Sequence, residues 1–190
     1  MQFRFTLIAV LAALASCASH PPTAPREIID EQSANTLTIV ASPLVFARAR
    51  SDVAAFARDY ATIVAVEIDS SGVYSPYLLL YRWSTVDPRM SPAPPAGAGT
   101  LRFIADGRVV ELTPLDKFPL SLAKSRELSV PNHGDVIARA YKVDVATLRF
   151  IADSREISVR LPQEPLDIPF RLWEDGRRAL GDFASRAATP

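Results

Sequence analysis

Few residues in this 190-residue chain have both the type and the neighbours that chemistry needs. His133 sits in Pro131-Asn132-His133-Gly134-Asp135, and a histidine beside a carboxylate can serve as the base of a Ser-His-Asp arrangement. No Gly-x-Ser-x-Gly elbow accompanies it, so the expectation is a loop histidine in water. Asp106, Glu111, Asp116, Asp144 and Asp153 could supply the two carboxylates of a hydrolase, but spacing along the chain does not say which of them meet. Asp106-Gly107-Arg108 and Glu174-Asp175-Gly176-Arg177 join acid, glycine and arginine. Neither has the spaced oxygen ligands of a calcium loop or the length of a P-loop, and both are expected to be turns or caps. Without a His/Cys cluster the expectation is no metal, no cofactor and no enzymatic activity.

The densest aromatic stretch is Tyr77 to Trp83, where Tyr77, Leu79, Tyr81 and Trp83 share one face of a strand and Leu78, Leu80 and Arg82 the other. A strand apolar on both faces belongs in the middle of a core. The alternative is a ligand platform in which Tyr77, Tyr81 and Trp83 stack on a sugar ring such as those of peptidoglycan. Burial separates the two.

The lone cysteine, Cys17, excludes an internal disulfide. Before it come a start with one positive charge, Arg4, a nearly wholly apolar run from Phe5 to Leu14, and the small residues Ala15 and Ser16. That layout is a secretory signal, and its apolar run is too short for a spanning helix, which needs about 20 residues. Leu14-Ala15-Ser16-Cys17 resembles the lipobox of bacterial lipoproteins, and the chain beyond Cys17 is similar to proteobacterial lipoproteins with no known activity. The resemblance implies cleavage before Cys17, acyl chains on Cys17 and anchoring to a membrane. Ala18, rather than aspartate, after the cysteine implies the periplasmic side of the outer membrane over retention in the inner one. Lys+Arg and Asp+Glu number 21 each, which gives nucleic acid no basic field to bind. The expected partners are the membrane, through Cys17, and an envelope protein or peptidoglycan.

These residues need a scaffold. Residues 1–16 are expected as signal peptide, 17–35 as the lipidated cysteine and a proline-containing tether, and 36–190 as one globular domain with a proline-rich loop at 85–99. The predicted class is α+β: a mainly antiparallel sheet assembly, sandwich or curled sheet, with two short helices. Leu37 to Ala41 and Leu44 to Ala49 read as one bent strand or two, broken at Ser42-Pro43. Ala61 to Ile68 and Val73 to Thr85 read as a hairpin around Asp69-Ser70-Ser71-Gly72, while Ser51 to Asp59 fits more than one structure. Further strands are expected at Asp135 to Val143, Glu156 to Leu161 and Ile168 to Trp173.

The heptapeptide TLRFIAD occurs at Thr100 to Asp106 and again at Thr147 to Asp153. The first copy runs into Gly107, and Asp-Gly is a type I′ turn pair, which predicts a strand. The second comes after Asp144, a good N-cap, and places Val145, Leu148, Ile151 and Ala152 near one face, which predicts a helix. Ala179, Leu180, Phe183, Ala184 and Ala187 predict a last helix from about Asp175.

Overall fold

The computed structural model describes residues 23–31, 33–87, 99–123, 128, 137–161 and 168–187. Cys17, His133, Asp135 and most of the 85–99 loop lie outside the described residues. The centre of the fold is the hairpin of β4 (Arg58–Ser70) and β5 (Val73–Ser84), paired without interruption from Ser70↔Val73 to Asp59↔Ser84. Its two-residue turn has φ of 55° at Ser71 and 86° at Gly72. Two left-handed residues are what a type I′ turn demands, and the twist of that turn matches the strands it joins. The Asp69 carboxylate accepts a 2.7 Å bond from the Gly72 N–H and closes the turn. Leu78 and Leu80 are buried on one face of β5, Leu79 and Tyr81 on the other, as expected of a central strand.

β2 (Asn35–Ile39) and β3 (Leu44–Ala49) both lie along the free side of β4, β2 beside its C-terminal half and β3 beside its N-terminal half. They are one line of chain interrupted at residues 41–43, where Pro43 cannot donate to the ladder. β3 continues the sheet through β10 (Phe170–Glu174), β9 (Ile157–Arg160), β6 (Leu101–Ala105) and β7 (Arg108–Leu112); on the far side β5 pairs with β8 (Ile137–Lys142). All pairings are antiparallel.

The expectation of a tether over residues 17–35 needs correcting. Arg26–Asp30 is a strand, β1, paired over its whole length with β2. Only two of its five residues are partly buried, so the apolar pattern that signals a strand is nearly absent; pairing with β2, not periodicity, makes it one.

The sheet is curled, not flat. Phe46 on β3 and Phe103 on β6 are three strand spacings apart in the ladder, about 14 Å if flat. Their ring centroids are 6.2 Å apart, edge to face. Just past β7, Pro114 bridges to Tyr141 on β8 and the Leu115 N–H reaches the Ala140 carbonyl at 2.8 Å, so β7 and β8, two end strands of the unclosed sheet, approach each other. Phe46, Phe103, Phe170, Tyr141 and Phe183 belong to one continuous core.

Beside the sheet lie α1 (Leu120–Ala123), a single turn, and two longer helices, α2 (Val145–Asp153) and α3 (Arg177–Ala187), packed on each other. α2 is the second TLRFIAD, and Asp144 caps it by accepting a 2.6 Å bond from the Thr147 N–H. The first copy is β6 with its turn, Asp106 at φ 47° and Gly107 at φ 80°. One string thus takes two structures: alternate residues Leu101, Phe103 and Ala105 are buried in the strand, Leu148 and Ile151, one turn apart, in the helix. The copies also meet. The Asp106 carboxylate accepts from the backbone N–H of Arg155 (3.0 Å) and Glu156 (2.8 Å), just beyond the second copy, and the Arg108 guanidinium lies 4.9 Å from the Phe150 ring centroid.

α3 is held at both ends. Before it, the Asp175 carboxylate accepts from the Arg177 N–H at 3.0 Å, while Arg177 donates through Nη1 to the carbonyls of Ser154 and Arg155, fastening the end of α2. This is the turn-and-cap role expected for Glu174 to Arg177. At its far end Arg186 pairs with Glu27 of β1 at 2.6 Å.

Gly176 passes against the β2–β3 break: a Cβ there would overlap the Pro43 carbonyl oxygen and lie 2.6 Å from that of Ser42. Both obstacles are backbone. Gly176→Ala is therefore expected to destabilise by about 1–3 kcal/mol, in the range of overpacked sites. At Gly181, inside α3, the nearest atom is the Ala152 Cβ at an ordinary 3.8 Å. Gly181→Ala should stabilise by about 0.5–1 kcal/mol from helix propensity. Urea unfolding of the two variants checks both signs.

Candidate functional site

The long hairpin register decides which side chains gather at its open end. Asp59 faces Ser84 on one side of the sheet; Tyr60 faces Trp83 on the other. On the first side Arg48 of β3, opposite Asp59, completes a cross-strand row, with Arg48 Nη2 2.7 Å from Asp59 Oδ2 and Ser84 Oγ donating to Asp59 Oδ1 at 2.8 Å. Arg50 adds a 3.3 Å contact to Asp59 and binds exposed Asp52 at 3.0 Å. Arg48 and Asp59 are both buried, and the Arg48 guanidinium lies 4.6 Å over the Phe170 ring. Burial pushes the Asp59 carboxyl up, but the hydrogen bonds from Arg48 and Ser84 and the charges of Arg48 and Arg50 outweigh it and hold the group below the usual carboxylate range.

On the opposite side the Tyr60 and Trp83 rings stack at 4.0 Å with 7° between their planes. The Trp83 indole N–H donates to Thr62 Oγ1 at 3.1 Å, which fixes the ring's tilt. β10 brings in a third ring. Its register against β3 shifts between Leu172 and Glu174, and Trp173, at that irregularity, sits edge-on to Tyr60 at 6.3 Å and 81°. Arg58 lies 4.8 Å over Trp173. Tyr60 and Trp83 are half-buried, whereas Trp173 is 53% exposed. The arrangement offers a partner aromatic area with polar edges and one cation, on strands and not on mobile loops.

Of the three residues singled out from sequence as a ligand platform, the structure brings only Trp83 into this patch. Tyr81 is 3% exposed, with burial pushing its phenol up to about 12, and it belongs to the core; Tyr77 is half-buried and packs against the core. Sequence reasoning misses Arg58, Tyr60 and Trp173. Tyr60 is within its reach, since counting back from the two-residue turn places it opposite Trp83. Trp173 is not: nothing local says that β10 pairs with β3.

Three of the five carboxylates weighed as a hydrolase pair have structural employment. Asp106 and Asp144 cap backbone N–H groups, and Glu111 pairs with Arg102 at 2.8 Å. No cluster of three or more His, Cys, Asp or Glu that could hold a metal occurs among the described residues. No protein-family model, curated protein or solved structure matches this chain. The patch therefore has to be interpreted from its own geometry.

One further carboxylate contrasts with Asp59. Glu67 on β4 is buried, its Oε1 accepts no hydrogen bond among the described residues, and burial pushes its carboxyl above the usual range, opposed by Arg186 and assisted by Asp69 and Glu27. The two acids bend stability in opposite directions. Asp59 is depressed, so its contribution is present above its unfolded value and lost as pH falls. Glu67 is raised, so its contribution is present below its unfolded value and lost as pH rises through the folded one. Asp59→Asn is expected to cost about 3–5 kcal/mol at neutral pH, the range for breaking a buried pair. Glu67→Gln should gain on the order of 1 kcal/mol at neutral pH and nothing in acid. Thermal melting from acid to neutral pH measures both.

Proposed function

We propose that this chain is a lipid-anchored protein of the bacterial envelope, periplasm-facing and held at the outer membrane through acyl chains on Cys17, whose folded part is a non-enzymatic interaction module. The address rests on the Leu14-Ala15-Ser16-Cys17 lipobox behind an apolar signal run. At about 0.8 kcal/mol per buried methylene, two or three acyl chains give a lasting anchor.

The module reading rests on one observation above the rest: two tryptophans, a tyrosine and an arginine from three strands, β4, β5 and β10, gathered on one face of the sheet. Trp, Tyr and Arg are the residue types that dominate the energetics of protein interfaces, and a preorganised cluster binds without first losing side-chain freedom. An envelope protein is the partner this composition suits best. Peptidoglycan is the second reading, favoured by the exposed Trp173 ring; Tyr60 and Trp83 stack on each other, which leaves less ring surface for sugars.

Trp173→Ala should fold normally and lower capture of a protein partner by at least tenfold in crosslinking of intact cells, as an anchor worth about 2 kcal/mol implies. Purified peptidoglycan that retains the parent protein and releases Trp173→Ala would move the assignment to the glycan. Undiminished crosslinking together with no glycan retention would remove the patch from consideration. Labelling with radioactive palmitate, lost on Cys17→Ser, checks the anchor separately.

A further inference from the structure

We propose that the loop between β3 and β4 is a membrane foot: Phe56 enters the boundary between headgroups and acyl chains of the bilayer that Cys17 anchors, and the domain stands on the open end of the β4–β5 hairpin. Among the large apolar residues described, Phe56 is the most exposed, at 89%. The loop that carries it is internally bonded. The Arg50 N–H donates to the Ala57 carbonyl at 2.8 Å and closes the base, the Arg50 carbonyl accepts from the N–H groups of Val53 and Ala54, and the Ala57 N–H donates to the Ala54 carbonyl at 3.1 Å, which makes Ala55 and Phe56 the central pair of a turn. Arg50, bound to Asp52 and to buried Asp59, fixes the base to the strand ends. Ala54, Ala55 and Phe56 are all exposed, an apolar tip held out by the turn.

The shape of the tip and the direction of the chain choose the occupant. A stable protein interface covers about 800 Å² on each partner, which one phenylalanine flanked by alanines on a convex turn does not offer. A bilayer needs no matching surface and takes apolar side chains about 5–10 Å into its headgroup boundary. The anchor comes from the same side. β1 is antiparallel to β2 and β2 to β4, so β1 runs in the direction of β4 and begins toward the open end, with Arg26 level with Val66. Val66 lies about 27 Å of strand from Arg58, and the nine residues from Cys17 to Arg26 extend to about 30 Å at most. A lipid on Cys17 can therefore reach the plane of the loop.

Charge separates the two ends of the sheet. Around the foot Arg48, Arg50 and Arg58 outnumber Asp52 and Asp59 by one, which suits lipid phosphate. At the other end Ile29, Val73 and Tyr74 are also exposed, but Asp30, Glu31 and Asp69 adjoin them and an acidic leaflet repels that end. One aromatic tip is too weak to hold a protein on a bilayer; it orients a molecule that a lipid already holds. The orientation thus rests on the anchor at Cys17 but not on the aromatic patch. With the loop down, the face of Tyr60, Trp83 and Trp173 stands upright beside the headgroups, open to a partner at the membrane.

Cys17 is the lone thiol, so the purified full-length chain, made without lipid, can be coupled through it to a maleimide-headgroup lipid in vesicles of phosphatidylethanolamine and phosphatidylglycerol. The anchor is then supplied chemically, and a failure of the foot stays distinct from a failure of acylation in cells, which palmitate labelling reads. Phe56→Trp keeps an interfacial side chain at an exposed position and reports its depth. Lipids brominated high on the acyl chain should quench the emission that this change adds over the parent by at least twofold, and Ala55→Asp in the same chain should abolish the quenching without altering the thermal melt. Added emission that bromine leaves untouched overturns the proposal, as does quenching indifferent to Ala55→Asp. A blue shift of the added emission without vesicles, growing with protein concentration, assigns the tip to a second copy and overturns it as well. Should Ala55→Asp lower the melting temperature, Ala54→Asp takes its place and is judged in the same way.

Discussion

The register of the β4–β5 hairpin is the constraint on which the rest depends. A strand has a side-chain period of two, so a slip of one residue would carry every side chain of β5 to the other face. The Ser71-Gly72 turn excludes that slip, because its two left-handed residues permit one pairing of Ser70 with Val73 and every later pair is counted from there. At the open end of the hairpin, the count sets Asp59 against Ser84 and Tyr60 against Trp83. A buried charge row and an aromatic stack therefore lie back to back across one sheet, each determined by a turn at the far end of the hairpin.

This placement has a mechanical consequence. Arg48, Asp59 and Ser84 come from three neighbouring strands, and the bonds among them keep those strand ends from splaying. A surface aromatic pair is worth about 0.5–1.5 kcal/mol, too little to order three strand ends by itself. The buried row supplies the order, and the patch inherits it. The patch should accordingly present nearly the same shape free and bound, as expected of a binding surface built on strands.

What was legible in the sequence was local. The Asp106-Gly107 turn, the Asp144 cap, the α+β class and the two longer helices rest on signals spanning a few residues, and the structure has them; the first hairpin turn, expected over Asp69 to Gly72, narrows to Ser71-Gly72 because β4 runs on to Ser70. TLRFIAD shows how little the string itself carries: Asp-Gly after one copy and an N-cap before the other settle strand and helix, because the heptapeptide's apolar residues suit either period. β1 was not legible. It is short, mostly exposed and charged at both ends, so read alone it looks like linker. Trp173 was hidden for a different reason, since its neighbours Tyr60 and Arg58 are more than a hundred positions away and a register shift in β10 sets its direction. The buried Arg48–Asp59 pair gives no sequence signal, because charged residues at alternate positions of a strand ordinarily mean a wet face.

The same distinction bears on where function can reside in such a sheet. Its central strands are buried on both faces along their middle stretches, Ala61 to Ile68 and Leu78 to Tyr81, and offer a partner only their ends, where Tyr60 and Trp83 lie. Contact is left to places where the alternating rule breaks down, such as the irregularity that brings Trp173 beside Tyr60, and to end strands such as β1, which among the described residues pairs on one side only. A curled sheet whose ends nearly meet has few such places, because the Pro114–Tyr141 bridge already occupies the seam where β7 approaches β8. β1 escapes the seam because it pairs with β2, which lies along the half of β4 that β3 and β10 do not reach. The length of β4, thirteen residues against the five or six of most of its neighbours, thus gives this fold both an enclosed core at one end and an edge of its own at the other.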